Sequence, residues 1–224
     1  MRSNTVGTLS ILALVVVLLT STSASHADTL FTNFGPNHSF ENLYGGWVIG
    51  QCCDSGDEVL AFPFMPDETA TLTNALLALQ SEQGASPINL YLEASDAAGA
   101  PGAILDQFTQ NGSILPTASV VNFTCASCPV LDEGTLYFLV AQEANPPDWG
   151  DWGYTLDSID TYGFGYGISY FDSNGSPEGP WTQTLDAFPA YEVDGIATTP
   201  EPPTIVLFTF GAIGLVAIGC RRLA

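Results

Sequence analysis

Lysine is absent from this sequence, and its three arginines, Arg2, Arg221 and Arg222, stand at the two ends. Between them the chain has no permanent positive charge, yet it carries all 24 of its Asp and Glu residues. This excludes nucleic acid and anionic lipid headgroups as partners of the central region, because binding phosphate needs Lys and Arg to displace its counterions. It also excludes Lys and Arg salt bridges from the fold. The formal net charge of −21 favours solubility through self-repulsion. Histidine is nearly as scarce. Of the two, His26 falls in the N-terminal leader, which leaves His38 in the turn-like stretch "GPNHS" as the one base a Ser-His-Asp triad would have. No G-x-S-x-G elbow and no H-E-x-x-H zinc helix occurs. Enzymatic chemistry is thereby reduced to carboxylates. A glycan hydrolase needs only two of them across a sugar, but no spacing in the sequence singles out a pair.

The two ends are built differently from the middle. Arg2 precedes the apolar run Leu9–Leu19, and the small residues Ser25 and Ala27 follow. This is the pattern of a signal peptide over residues 1–27, cut by signal peptidase between Ala27 and Asp28. At the other end, Pro200, Glu201 and Pro202 lead into an apolar run from Thr204 to Cys220, and Arg221 and Arg222 follow. The run is near the lower limit of about 17 residues for a transmembrane helix. The arginine pair after it keeps the C-terminus on the cytoplasmic side and the central region outside. The expected organisation is a signal peptide, an exported domain over 28–197, and a tail over 198–224 with a transmembrane helix at 204–220.

This tail, with its Pro-Glu-Pro tripeptide, apolar helix and terminal arginines in that order, resembles the PEP-CTERM sorting signal. In that family the tail is read by an exosortase, a transpeptidase-like membrane enzyme, and is removed as the protein passes to the surface of Gram-negative bacteria that make exopolysaccharide. The resemblance implies that Pro200, Glu201, Pro202, Arg221 and Arg222 form the sorting motif. It also implies a cell-surface or biofilm-matrix location after a transient membrane stage.

The exported region alternates short apolar runs with Gly, Pro, Asn and Asp turns. In "INLYLEA", Ile88, Leu90 and Leu92 face one way, and Asn89, Tyr91 and Glu93 face the other. "EVLAFPF", "SVVNF", "GTLYFLVAQ", "YGFGYGISY" and "AFPAYEV" are further strand candidates, while "TLTNALLALQ" fits both strand and helix spacing. Period-two patterning between turns predicts an all-β, jelly-roll-like antiparallel β-sandwich. The order of "LFTNFGPNHSFENLYGGWVIG", "DAAGAPGAIL", "LDEGTLYFLVAQ" and "AFPAYEV" resembles the choice-of-anchor R domain, a bacterial surface domain found upstream of different anchoring signals. That resemblance implies location and a sandwich architecture.

Four cysteines, Cys52, Cys53, Cys125 and Cys128, lie in the exported region, where an even set reads as disulfides. A bond between adjacent cysteines is strained, so the CC pair is expected to bond across to the CxxC pair. The rival is a four-thiolate zinc site. For ligands, "PPDWGDWGY" places Trp149, Trp152 and Tyr154 with Asp148 and Asp151 on a Pro/Gly-rich stretch, where aromatic faces are free to stack on sugars. The packing alternative is that these rings cover the sandwich edge. Tyr162, Phe164, Tyr166 and Tyr170 form a second aromatic stripe, expected to be a core face. No cofactor is implied. Calcium is the one ion the composition suits, at "DSGDE" (Asp54–Glu58) or at Asp172, Asn174, Ser176 and Glu178, although Pro177 stands where an EF-hand loop has glycine. The leading expectation is a non-enzymatic surface or matrix protein, with a binding-module version that adds contact to extracellular polysaccharide through Trp149 and Trp152. The alternative is a carboxylate-dependent glycan hydrolase.

Overall fold

The computed structural model describes residues 27–52, 56–84, 87–125, 127–156, 168–185 and 187–198. The expected signal peptide, the sorting tail and the aromatics Tyr162, Phe164 and Tyr166 lie outside these residues. Among the described residues there are thirteen strands. In chain order they are β1 (Asp28–Thr32), β2 (Glu41–Gln51), β3 (Asp57–Phe64), β4 (Ala70–Gln83), β5 (Ile88–Ser95), β6 (Pro101–Asn111) and β7 (Ser119–Cys125), then β8 (Val130–Leu131), β9 (Tyr137–Glu143), β10 (Trp149–Tyr154), β11 (Ile168–Asp172), β12 (Thr182–Leu185) and β13 (Tyr191–Ala197). A single 3-10 turn, Pro36–His38, interrupts them.

All strand pairing is antiparallel, as the alternating pattern predicts, but the expected two-sheet sandwich is corrected. Eight strands close a ring: β4 pairs with β10, then β2, β3, β9, β5, β6 and β7 follow in order, and β7 pairs back onto β4. Closure is made by β4, which at 14 residues is long enough to be shared. One of its edges serves β13 along Ala70–Leu77 and then β10 along Leu79–Gln83, while the other serves β8 and β7. A closed ring leaves no ladder of unpaired backbone groups along its circumference. The remaining strands lie outside it, with β1 on β13 and the β11–β12 hairpin on β3.

Period-two alternation sends one face of each ring strand inward. Leu60, Phe62 and Phe64 of β3, Leu90 and Leu92 of β5, Leu139 and Ala141 of β9, and Leu77 and Leu79 of β4 are all buried in one cluster. The register runs Phe62 to Leu139 to Leu92 across three neighbouring strands. The polar atoms carried into this core are satisfied by backbone, since no cation is at hand. The Tyr191 hydroxyl donates to the Pro63 carbonyl at 2.6 Å, and the Trp152 indole N–H donates to the Ala190 carbonyl at 3.0 Å. An interior filled in this way is a packed core, the inverse of the polar lumen of a membrane-spanning barrel. A second apolar layer lies on the outer face of β3 and β9, where Val59, Ala61, Phe138 and Val140 pack under Tyr170 of β11 and the Trp181 ring.

The expected disulfide pairing is also corrected. Cys125 bonds to Cys128. β7 ends at Cys125, and the chain turns back toward β8 through Cys128, whose φ is 41°. That turn brings the two Cα atoms to 5.1 Å, inside the bridging range. Cys52 is disulfide-bonded as well, while Cys53 lies outside the described residues.

Candidate functional site at the barrel mouth

Strand β10 divides the three aromatics proposed for sugar contact. Trp152 stands opposite Trp47 of β2 and Leu79 of β4, is fully buried, and meets Phe62 edge-on at 5.0 Å. It is core, and the expectation that it contacts a ligand is corrected. The glycines around it mark close backbone approach, not a loop: a Cβ on Gly46 would lie 2.2 Å from the Trp152 carbonyl oxygen. Tyr154 sits at the far end of β10, bridged to Pro189. It is about 17 Å along the strand from Trp149. Trp149 alone remains at an opening.

That opening is where the ends of β4, β9 and β2 meet the starts of β5 and β10. Its apolar floor is the top of the core, with Ile49, Leu79 and Ile88, and its walls are Trp149, Asp151, Glu143, Gln80, Ser81 and Gln83. Counted to its open mouth, it holds about 250 Å³. Most of that is open solvent: the enclosed part is about 10 Å³, near the room one water needs, so the opening is a shallow surface across which a larger molecule could lie and not a pocket that takes in a ring. Trp149 is half-buried and lines the opening.

Electrostatically the mouth is acidic throughout. Asp151 is buried, and its carboxyl is pushed up to about 6 by that burial, by the charge of Glu82 and by a hydrogen bond with Glu82. Asp151 therefore keeps its proton to a higher pH than an ordinary carboxyl does. Glu82 also accepts from the Gln80 side chain at 2.6 Å, and the buried Glu143 carboxylate accepts from the Ala144 N–H at 3.2 Å. Asp148 is seated by a glycine, because a Cβ on Gly84, whose φ is +84°, would fall inside its carboxylate. Sequence reasoning singled out Trp149, Asp148 and Asp151. It missed Glu82 and Glu143: Glu82 is 69 residues from Asp151 in sequence and reaches it through the β4–β10 pairing, whereas Glu143 ends β9, six residues before Trp149.

The other proposed sites are resolved differently. The stretch Asp172–Glu178 closes on itself: Asp172 accepts from the Asn174 amide at 2.7 Å and from the Ser176 N–H at 2.9 Å. It meets the second proposed calcium stretch through a bridge between Asn174 and Asp57, while Asp54 and Ser55 lie outside the described residues. Among the described residues no three His, Cys, Asp or Glu side chains are grouped to hold a metal ion. His38 lies 3.3 Å from the Glu192 carboxylate and edge-on to Phe34. No protein-family model matches the chain, and no curated protein matches it.

Proposed function

We propose that the chain is an exported surface or matrix protein whose barrel mouth binds a glycan. Signal peptidase releases it at Ala27–Asp28, and an exosortase-like enzyme reads its Pro200–Pro202, apolar and Arg221–Arg222 tail. The observation that carries the binding role is the meeting of an aromatic face, Trp149, with amide, hydroxyl and carboxylate side chains in one opening. Sugars present apolar C–H faces and hydroxyl edges, and such a lining answers both. Its acidity sets the class: carboxylates accept from hydroxyls or ammonium groups and repel uronates, so neutral or amine-bearing sugars fit. A second reading, the glycan hydrolase, is favoured by Asp151, whose carboxyl is raised to about 6 beside Glu82, the direction in which a general acid is tuned.

Calorimetric titration of neutral, amine-bearing and uronate oligosaccharides into the full chain tests the proposal. Binding of the first two is expected, with a loss of about tenfold for Trp149→Ala, the scale of one aromatic contact, and no change in melting temperature. Equal binding by the variant, or binding of uronates alone, would contradict it. Reducing ends released from the same panel, and lost in Asp151→Asn, would move the assignment to the hydrolase.

A further inference from the structure

On the outer face of β5, away from the mouth, Glu93 is completely buried, and neither of its carboxylate oxygens has a hydrogen-bond partner. An ionised carboxylate buried alone is untenable by several kcal/mol. The usual remedy, a Lys or Arg, does not exist between Arg2 and Arg221. The feature is not isolated. Among the described residues the buried polar atoms without a partner are both Glu93 oxygens, the Trp181 indole N–H and one Asp57 oxygen, and all belong to the layer formed by β5, β9 and β3 with the segment Asp172–Trp181 that folds against it. Each of the two carboxylates also has a second one pressing on it: Glu178 on Glu93, and Asp172 on Asp57.

The segment is held in place from several sides. The Gln142 side chain donates to the Gly175 carbonyl at 2.6 Å, Asp172 fixes the turn at Asn174 and Ser176, and Trp181 packs with Tyr91 on the outer cluster. The Tyr91 hydroxyl, beside Glu93, is bonded to Gln142 at 3.2 Å. The arrangement is a strap fixed on the layer that buries Glu93, and it carries an exposed carboxylate, Glu178.

We propose that this strap closes over a divalent-cation site anchored by Glu93 and completed at its edge by Glu178. Two carboxylates are fewer than a dedicated calcium cage supplies, so backbone and water oxygens make up the shell. The cation neutralises the carboxylate that no side chain pairs, and it fastens the strap to the barrel. The site is separate from the mouth and stands whether or not the mouth binds glycan.

Terbium, which takes calcium ligands and luminesces when a neighbouring indole is excited, is the direct probe. Added to the full chain, it is expected to give saturable tryptophan-sensitised emission that Ca²⁺ displaces. Glu93→Gln should abolish the emission. Glu178→Gln, at an exposed position that leaves the fold alone, should weaken it. Going from chelator to Ca²⁺ at about 100 times its dissociation constant should raise the melting temperature by about 5–11 °C, and Glu93→Gln should lose that rise. Emission unchanged in both variants would mean diffuse binding to an acidic surface and would overturn the proposal. So would a melting temperature indifferent to Ca²⁺, which would leave a proton as the group that neutralises Glu93.

Discussion

Trp152→Ala is expected to lower the stability of the barrel by about 3–5 kcal/mol, the range for emptying a large aromatic site in a packed core. In a chain of this size each kcal/mol is worth about 2–4 °C, so the melting temperature should fall by roughly 6–20 °C. The indole touches Phe62 and Tyr191 at 5.0 and 5.7 Å between ring centroids, and its N–H holds the Ala190 carbonyl. Removal therefore leaves a cavity and takes one of two donors from the Ala190 carbonyl, which keeps the Ala78 N–H at 3.1 Å. The neighbouring Trp149→Ala should melt with the wild type. Thermal denaturation of the two variants side by side checks the division of labour along β10. A Trp152→Ala protein that melts like the wild type would return Trp152 to a surface and undo the placement of the core.

The second large effect is a dependence of stability on pH that runs opposite to that of a protein held by salt bridges. In chelator, burial and the charge of Glu178 hold the Glu93 carboxyl at about 8 in the folded chain, against an ordinary 4.5. The folded form then keeps a proton that the unfolded chain releases. The stability this gives is fully present below about pH 4.5 and is lost as pH rises toward 8, by up to about 1.4 kcal/mol per pH unit. Asp151 adds a parallel loss between its ordinary 3.8 and about 6. From pH 6 to 8 only Glu93 contributes of the two, which amounts to roughly 2–3 kcal/mol. The groups beside it, Tyr91 and Tyr170, have hydroxyls raised above their ordinary range and do not titrate in that window. Urea denaturation in chelator at pH 6, 7 and 8 should show the wild type weakening and Glu93→Gln flat. A flat wild type would mean that Glu93 is not the buried acid described here. Saturating cation should reduce the slope, since it replaces the proton.

Much of this fold can be read from local pattern, and the unread parts share a cause. The alternation of Ile88, Leu90 and Leu92 against Asn89, Tyr91 and Glu93 identifies β5 and both its faces. "TLTNALLALQ" is ambiguous for a physical reason. Leu77 and Leu79 face the ring core while Leu76 and Ala78 pack with Phe34 and Ala190 outside it, so both faces are apolar and the period is hidden. "WGDWGY" looks like a loop because of its glycines. Those glycines instead let β10 lie against two neighbours, as on Gly150, where a Cβ would meet the Gln80 carbonyl. Ring closure depends on pairing between β4 and β7, more than forty residues apart, as Asn74 with Thr124 shows, and no local signal carries it. The cysteine pairing was missed by favouring a bridge between segments, when a left-handed turn at Cys128 makes the local one. At the mouth, Trp149 and Asp151 are visible in sequence, and Glu82 is not, because only the pairing of β4 with β10 brings it to Asp151.

The acidic composition, the disulfides and the tail meet in one claim, that the chain works outside the cell as a processed barrel. The intact mass of the protein from its native host, taken with and without reductant, tests that claim most directly. The account predicts a species that begins at Asp28, ends near Pro200, and gains on reduction the hydrogens of its bridges, Cys125–Cys128 among them. A species that keeps Met1, or that keeps Cys220 to Ala224 and gains no mass on reduction, would contradict it.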